Sequence, residues 1–255
     1  TLRFDMDCNL TIDQGNTCAK LALWTRGEHS VCIGEKAFKS PSPADVLTFC
    51  HDHNILSAIY CSVSRRGADI KHVLRTRCPN FIELKHDTPT PLRVDYATPE
   101  TLGVDRLAAA VGAYTLTGGN TDILVSDVGT AITYDHVSRD NVYHGGNIAP
   151  GIFMRLKALN HYTARLPLVE PEEVPTPLWG QSTETALCSG AILGVVAELE
   201  YYRSQLPPDA VVVLGGGGTH LLRDRLPFQH TVVNNLVSLG LNTIIRFNEN
   251  AETHI

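Results

Sequence analysis

Apolar positions fall into short extended runs at the start of the chain and into helical periods further on. Leu10 to Ile12 is an apolar run ended by Asp13, a Gly15-Asn16 turn follows, and Leu21 to Trp24 returns, which predicts a β-hairpin. His29 to Ile33 adds a third strand. Ser42 and Pro43 fit the N-cap and first position of a helix over 44–50, and Ser57 to Val63 has the bounded apolar run of a buried parallel strand. A helical period covers Ala68 to Arg77, and Phe81 to Leu84 reads as the next strand. Antiparallel strands followed by alternating helices and strands predict an α/β domain with a mixed sheet.

Further on, Thr98 and Pro99 open a helix that is interrupted near Gly103 and continues through Ala113. Its stretch from Leu107 to Ala113 is almost all small or apolar, as a buried helix in close contact requires. TDILVSDVGTAITYDHV, centred on Asp127, repeats the opening hairpin in outline: an apolar strand, an acid, a glycine two residues later, and another strand. Gly145-Gly146 in YHGGNIAP admits close approach by a ligand or a neighbouring strand. A helix over 151–159 follows, then a proline-rich extended surface loop from Ala164 to Gly180. Ser182 caps a long helix from Thr183 to about Gln205, and the strand Ala210 to Leu214 runs into Gly215 to Gly218 ahead of another helix. LVSLGLNTIIRF closes the chain as a helix, with polar, fraying residues from Asn248 onward.

Composition narrows the classes. With 255 residues, 43% hydrophobic and 19% charged, the chain can bury a substantial core as one large domain or two compact ones. A net charge of −6 with no basic block argues against nucleic-acid or acidic-membrane partners. No apolar run is long enough to span a bilayer and no basic-then-apolar leader opens the chain, so the sequence reads as cytoplasmic. Seven cysteines, an odd number without a C-x-x-C pair, read as reduced thiols. His51 and His53 flank Asp52 but have no matching ligand cluster, so they read as solvated residues at a helix end. Residues 1–8 are set aside from the functional argument.

The chemistry gathers in three places. Asp13, Gln14, Gly15, Asn16, Thr17 and Lys20 form a turn whose backbone N–H groups, side-chain donors and lysine suit a polyphosphate, with Asp13 facing a metal; a plain surface hairpin fits the same residues. Gly15-Asn16 suggests backbone in the left-handed region. Asp105 and Arg106 stand at the head of the buried helix, either as a site or as a first-turn acid with a paired arginine. The second D-x-G turn, Asp127 to Thr130, suggests a duplicated fold with a phosphate turn in each half, and the glycine run after Leu214 could receive a nucleotide.

Taken together, DQGNTCAK, TPETLGVDR, SDVGTAITYD, GGNIAPGIFMRLKALNHYTARLPLVE and, more weakly, GQSTETALCSG and VVVLGGGG resemble the type III pantothenate kinases, members of the acetate and sugar kinase, heat-shock chaperone and actin superfamily. The resemblance covers almost all residues from Leu10 to Asn242. It implies a duplicated ribonuclease H-like (actin-like ATPase) fold of class α/β, with two mixed-sheet halves, 9–117 and 118–255, and a cleft between them. It implies ATP-dependent phosphorylation of pantothenate, the first step toward coenzyme A, with Asp105 as general base. By the same resemblance Asp13 serves magnesium, directly or through water. Gln14, Gly15, Asn16, Thr17, Lys20 and Thr130 contact ATP, and Asp127 binds a monovalent cation, potassium or ammonium. Tyr96, Gly103, Val104, Asp105, Arg106 and Thr183 fall where the family contacts pantothenate, and a homodimer is implied. Val104 and the Gln181-Ser182 pair before Thr183 depart from the family's usual residues. The rival readings are another small-molecule kinase of this superfamily, acting on a sugar or carboxylate, and a non-catalytic nucleotide-binding regulator.

Overall fold

The computed structural model describes residues 6–27, 29–62 and 67–252. Its first strand extends beyond the apolar stretch that announces it. β1 spans Met6–Gln14 because its first residues pair with the start of β4 (His53–Ser62), Met6 opposite His53. Residues 6–8 are therefore strand residues, and Cys8 is fully buried. β2 (Ala19–Thr25) and β3 (Cys32–Phe38) continue antiparallel, whereas β4 and β5 (Asn80–Glu83) lie parallel on the other side, giving the order β3-β2-β1-β4-β5. The third strand begins at Cys32 rather than His29. Residues 30 and 31 are held in the turn, where the Ser30 hydroxyl donates to Thr25 O and the Val31 N–H donates to Thr25 Oγ1. Val63, the last residue of the expected fourth strand, lies outside the described residues.

α1 (Pro43–Phe49) starts with a reciprocal capping box between Ser42 and Asp45, and α2 (Ala68–Arg77) follows β4. Both pack on one core containing Leu10, Ile12, Leu21, Val46, Tyr60, Ile70 and Leu74. A two-residue strand, β6 (Arg93–Val94), and a 3-10 turn at Pro99–Thr101 precede α3 (Val104–Thr117). Thr98 thus heads the 3-10 turn, Leu102 is extended, and the main helix starts only after Gly103.

Residues up to 116 and from 237 onward form one unit, and residues 117–236 form the other. Whereas a single cut after residue 117 would give the last helix to the second half, α6 (Leu236–Glu252) is bonded from Val237 onward within the first unit. Thr11 Oγ1 and Ser238 Oγ lie 2.7 Å apart, the Trp24 indole N–H donates to Ser238 Oγ at 3.0 Å, and Asn9 donates to Asn242 at 3.0 Å. Every one of these side chains is buried, so the polar groups left inside are satisfied in pairs. Among the described residues, which end at 252, the fraying expected from Asn248 is not seen: Asn248 donates to Pro89 O at 3.0 Å and Glu249 pairs with Arg26 at 2.8 Å.

The second unit repeats the topology of the first. β7 (Ile123–Asp127), β8 (Ala131–Val137) and β9 (Val142–Pro150) form the antiparallel meander, and β10 (Val211–Gly215) and β11 (Thr231–Val232) lie parallel beyond β7, in the order β11-β10-β7-β8-β9. YHGGNIAP is strand for its whole length. Gly146 sits so close to the Tyr134 and Asp135 backbone of β8 that no side chain would fit, so it serves strand pairing. α4 (Ile152–Tyr162) and the capped α5 (Thr183–Ser204) cover a core of Leu124, Ile132, Leu156, Ile192, Leu199 and Leu214. The glycine run passes directly into a 3-10 turn, Gly217–Leu221, where another α-helix was expected.

Candidate nucleotide and acceptor sites

In the first unit the D-x-G hairpin is closed by the Gly15 N–H donating to Cys18 O at 3.0 Å. The Gln14 side chain, 4% exposed, folds back and donates to Gly15 O at 3.1 Å. Neither Gly15 nor Asn16 takes the left-handed backbone that their pairing suggests. The glycine is favoured instead by crowding, since a Cβ there would lie 3.3 Å from Cys18 O. Asn16 and Thr17 are exposed at the tip, and the register sets Lys20 on β2 opposite Asp13 on β1, with Cys61 of β4 beside Asp13 on the other side. Lysine, acid and thiol therefore share one row and one face of the sheet.

Asp105 joins that row electrostatically. Burial first, then the charges of Asp13 and Asp105, push the fully buried Cys61 thiol well above the usual cysteine range. Both carboxylates thus act on one sulfur. Asp105 is the second residue of α3, and its Oδ1 accepts the Arg106 N–H at 2.9 Å, so the anion sits at the favourable end of the helix dipole. Gly103 makes this possible: a Cβ there would stand 2.6 Å from Asp105 Oδ1. Its carbonyl also accepts the Arg106 and Leu107 N–H groups, which fastens the first turn. Arg106 is 6% exposed, Val104 is half-buried, and Tyr96 precedes the 3-10 turn that leads into this helix.

The second unit carries Asp127, Thr130 and Thr183. At its D-x-G turn the Val128 N–H donates to Gly215 O at 2.8 Å and the Gly218 N–H donates to Val128 O at 2.9 Å, so turn and glycine run are stitched together. The residue beside Asp127 in the register is Gly215, where Cys61 lies beside Asp13 in the first unit. The Asp127 carboxylate consequently meets bare backbone: a Cβ on Gly216, whose φ is +88°, would come within 2.6 Å of its Oδ1. Thr130 O accepts the Gly151 N–H at 3.0 Å, which ties the head of α4 to the same turn. Around it lies a cavity of about 350 Å³ lined by Val128–Thr130, Ile152, Phe153, Glu170–Glu172, Gly217, Gly218, His220 and Leu221. That volume is within the range of small-molecule sites. Thr183 is exposed at the first position of α5, where Ser182 and Thr185 cap one another.

Among the described residues there is no group of three or more His, Cys, Asp or Glu side chains able to hold a metal. The acids present suit cations that arrive with phosphate. Magnesium in kinases keeps waters and phosphate oxygens and needs only one or two protein carboxylates, which Asp13 can supply. A carboxylate against glycine backbone, as at Asp127, offers oxygen donors of the kind that a weakly bound monovalent cation takes. His51 and His53 take no part in such a group.

Two features escaped the sequence pattern. Glu170 and Glu172 lie in the proline-rich loop, and that loop is anchored by buried Val169 and Pro171, so it walls the cavity rather than merely crossing the surface. Cys61 also carries no motif. Only its place in a strand parallel to β1 could have pointed to Asp13.

The profile of the family described as type III pantothenate kinase matches residues 9–205. The chain is 41% identical over 245 residues to a type III pantothenate kinase of Phocaeicola vulgatus, covering 94% of this chain and 99% of that one. It is 37% identical over 250 residues to one of Porphyromonas gingivalis, covering 95% and 100%. Among solved structures, a glucokinase from an Antarctic psychrotroph superposes with a TM-score of 0.54 at 13% identity, covering 95% of this chain and all of that one, which shows the shared sugar-kinase and actin-like fold. No helix among the described residues is long and apolar enough to cross a membrane. With the match spanning more than half the chain and the identity sustained across nearly all of it, the chain belongs to the type III pantothenate kinase family.

Proposed function

We propose that the chain catalyses ATP-dependent phosphorylation of the primary hydroxyl of pantothenate, giving 4'-phosphopantothenate and ADP, as the first step toward coenzyme A. The observation that carries the proposal is the head of α3, where Gly103 leaves room for the Asp105 carboxylate and Arg106 follows it, in a chain 41% identical to a type III pantothenate kinase. Asp105 accepts the hydroxyl proton as the pantothenate oxygen forms its bond to the γ-phosphorus and the bond to the ADP oxygen breaks. Arg106 pairs with the pantothenate carboxylate, and Tyr96, Gly103, Val104 and Thr183 shape the acceptor site.

On the nucleotide side, Gln14, Gly15, Asn16, Thr17, Lys20 and Thr130 hold phosphate through backbone N–H groups, hydroxyls and one cation. Asp13 holds magnesium, directly or through water, and Asp127 a monovalent cation, potassium or ammonium. When bound, these cations neutralise charge on the phosphates, leaving proton removal and positioning to the side chains. A homodimer is part of the proposal, supported by large apolar side chains that remain exposed, Tyr162, Leu178 and Trp179 among them. Sedimentation at micromolar concentration should give twice the mass of the chain, and a monomer would remove that part.

The decisive substitution is Asp105→Asn. It should lower kcat with pantothenate by about 1,000-fold while ATP affinity changes less than about threefold. Unchanged turnover would remove Asp105 as the base, and turnover raised by acetate or sugars but not by pantothenate would favour a different acceptor.

A further inference from the structure

Arg26 lies just beyond β2, at the end of the first hairpin away from its turn, and its guanidinium is held through one nitrogen. Three acceptors converge on Nη1: Asn9 Oδ1 at 2.6 Å, Ser57 Oγ at 3.2 Å and Glu249 Oε1 at 2.8 Å. Asn9 and Ser57 are each 1% exposed, and the Ser57 hydroxyl also donates to Glu249 and accepts from Asn80 at 3.3 Å. That corner of the guanidinium is therefore fixed from inside the protein. Nε and Nη2 meet no acceptor among the described residues. Their parallel N–H groups form the edge that matches a planar pair of oxygens. Arg26 lines a cavity of about 360 Å³ with Gly27, Arg246 and Asn250, the last two a turn apart on α6. The Asn250 amide likewise has no partner among the described residues.

From this geometry we infer that Arg26, Arg246 and Asn250 bind a small carboxylate, at a site separate from the phosphate turn of the first unit. Asn9 stands four residues before Asp13 on β1, about 13 Å along the strand. The two carboxylate oxygens take the N–H groups of Arg26 Nε and Nη2, and Arg246 adds a second positive charge. The Asn250 amide takes a polar group elsewhere on the ligand. Charge selects the class of anion. Among the described lining residues two guanidinium groups stand against one carboxylate, Glu249, and the C-terminal end of α6 adds partial negative charge. A monoanion balances that set, whereas a phosphate dianion exceeds it. The inference stands apart from the reaction proposed above.

The test is calorimetric titration of the full chain with potassium acetate, lactate and phosphate at constant ionic strength, for the unmodified chain, Arg26→Lys, Arg246→Gln and Asn250→Ala. Lactate should bind the unmodified chain with a Kd of about 1 mM, about threefold tighter than acetate and than phosphate. Arg26→Lys keeps the charge but removes the fork, and Arg246→Gln removes the second charge; each should weaken lactate about tenfold. Asn250→Ala should remove the advantage of lactate over acetate and leave acetate binding as it was. Because Arg26 is also anchored internally, Arg26→Lys can lower the melting temperature; Arg246 is half-buried and Asn250 exposed on the last turns of α6, and their variants carry the test if it does. No lactate binding to the unmodified chain overturns the inference. So does lactate binding that Arg246→Gln and Asn250→Ala leave unaltered, which would place the carboxylate elsewhere, and phosphate bound more tightly than lactate would overturn the class of ligand.

Discussion

At the residue scale, the two acids of the repeated hairpins differ by what stands next to them. Asp13 has the Cys61 thiol beside it in the sheet, and Asp127 has Gly215. Neither neighbour belongs to a motif contiguous with its acid, because strand pairing places residues dozens apart in the chain side by side; the acids were legible in the sequence and their surroundings were not. Gly103 was legible as a break, but its reason emerges only with the Asp105 carboxylate folded over it. Gly103→Ala should therefore displace the carboxylate and lower kcat by about 100-fold, with a melting temperature close to that of the unmodified chain, because the backbone there is not left-handed. An unaltered kcat would show that the carboxylate position is not set by this glycine. Asp122 gives a prediction of a different kind. Burial acts to raise its carboxyl, but hydrogen bonds from Arg139 and His136 outweigh this and hold it below the usual carboxylate value. With the folded value lowered, its contribution is complete above the unfolded value of about 3.9 and is lost as pH falls through the folded one. Urea melts should find Asp122→Asn about 1–3 kcal/mol less stable at pH 7, with the gap closing toward pH 2. A gap independent of pH would contradict the assignment.

At the element scale, α3 and α6 are packed backbone against backbone. A Cβ on Gly240 would overlap the Ala108 carbonyl and lie 2.8 Å from the Gly112 nitrogen, which accounts for the run of small residues in α3. The sequence composition announced a closely packed helix there without naming its partner. Gly240→Ala should cost about 3 kcal/mol by forcing the helices apart, read as a lower urea midpoint with an unchanged slope. A cost under about 0.5 kcal/mol would mean that the helices separate freely. Helix starts were the most legible features, since Ser42-Pro43 and Ser182 carry local capping chemistry. Strand bounds were less so. β1 and β9 run past their apolar residues because pairing partners, not hydrophobicity, decide where a strand ends.

At the scale of the whole molecule, the same sheet order built twice, β3-β2-β1-β4-β5 and β9-β8-β7-β10-β11, was foreshadowed by two short D-x-G hairpins. What the hairpins could not foretell is the return of the last helix to the first unit, because the Thr11, Asn9 and Trp24 contacts that hold it are spread over more than two hundred residues of sequence. The central claim is that the chain transfers the γ-phosphoryl group of ATP to pantothenate. Mass spectrometry of the products formed from magnesium ATP and pantothenate, with potassium present or exchanged for sodium, tests it most directly. The account predicts phosphopantothenate in equal amount to ADP, with turnover falling when sodium replaces potassium. ADP formed while pantothenate stays unmodified, or a sugar or acetate phosphorylated in its place, would contradict it.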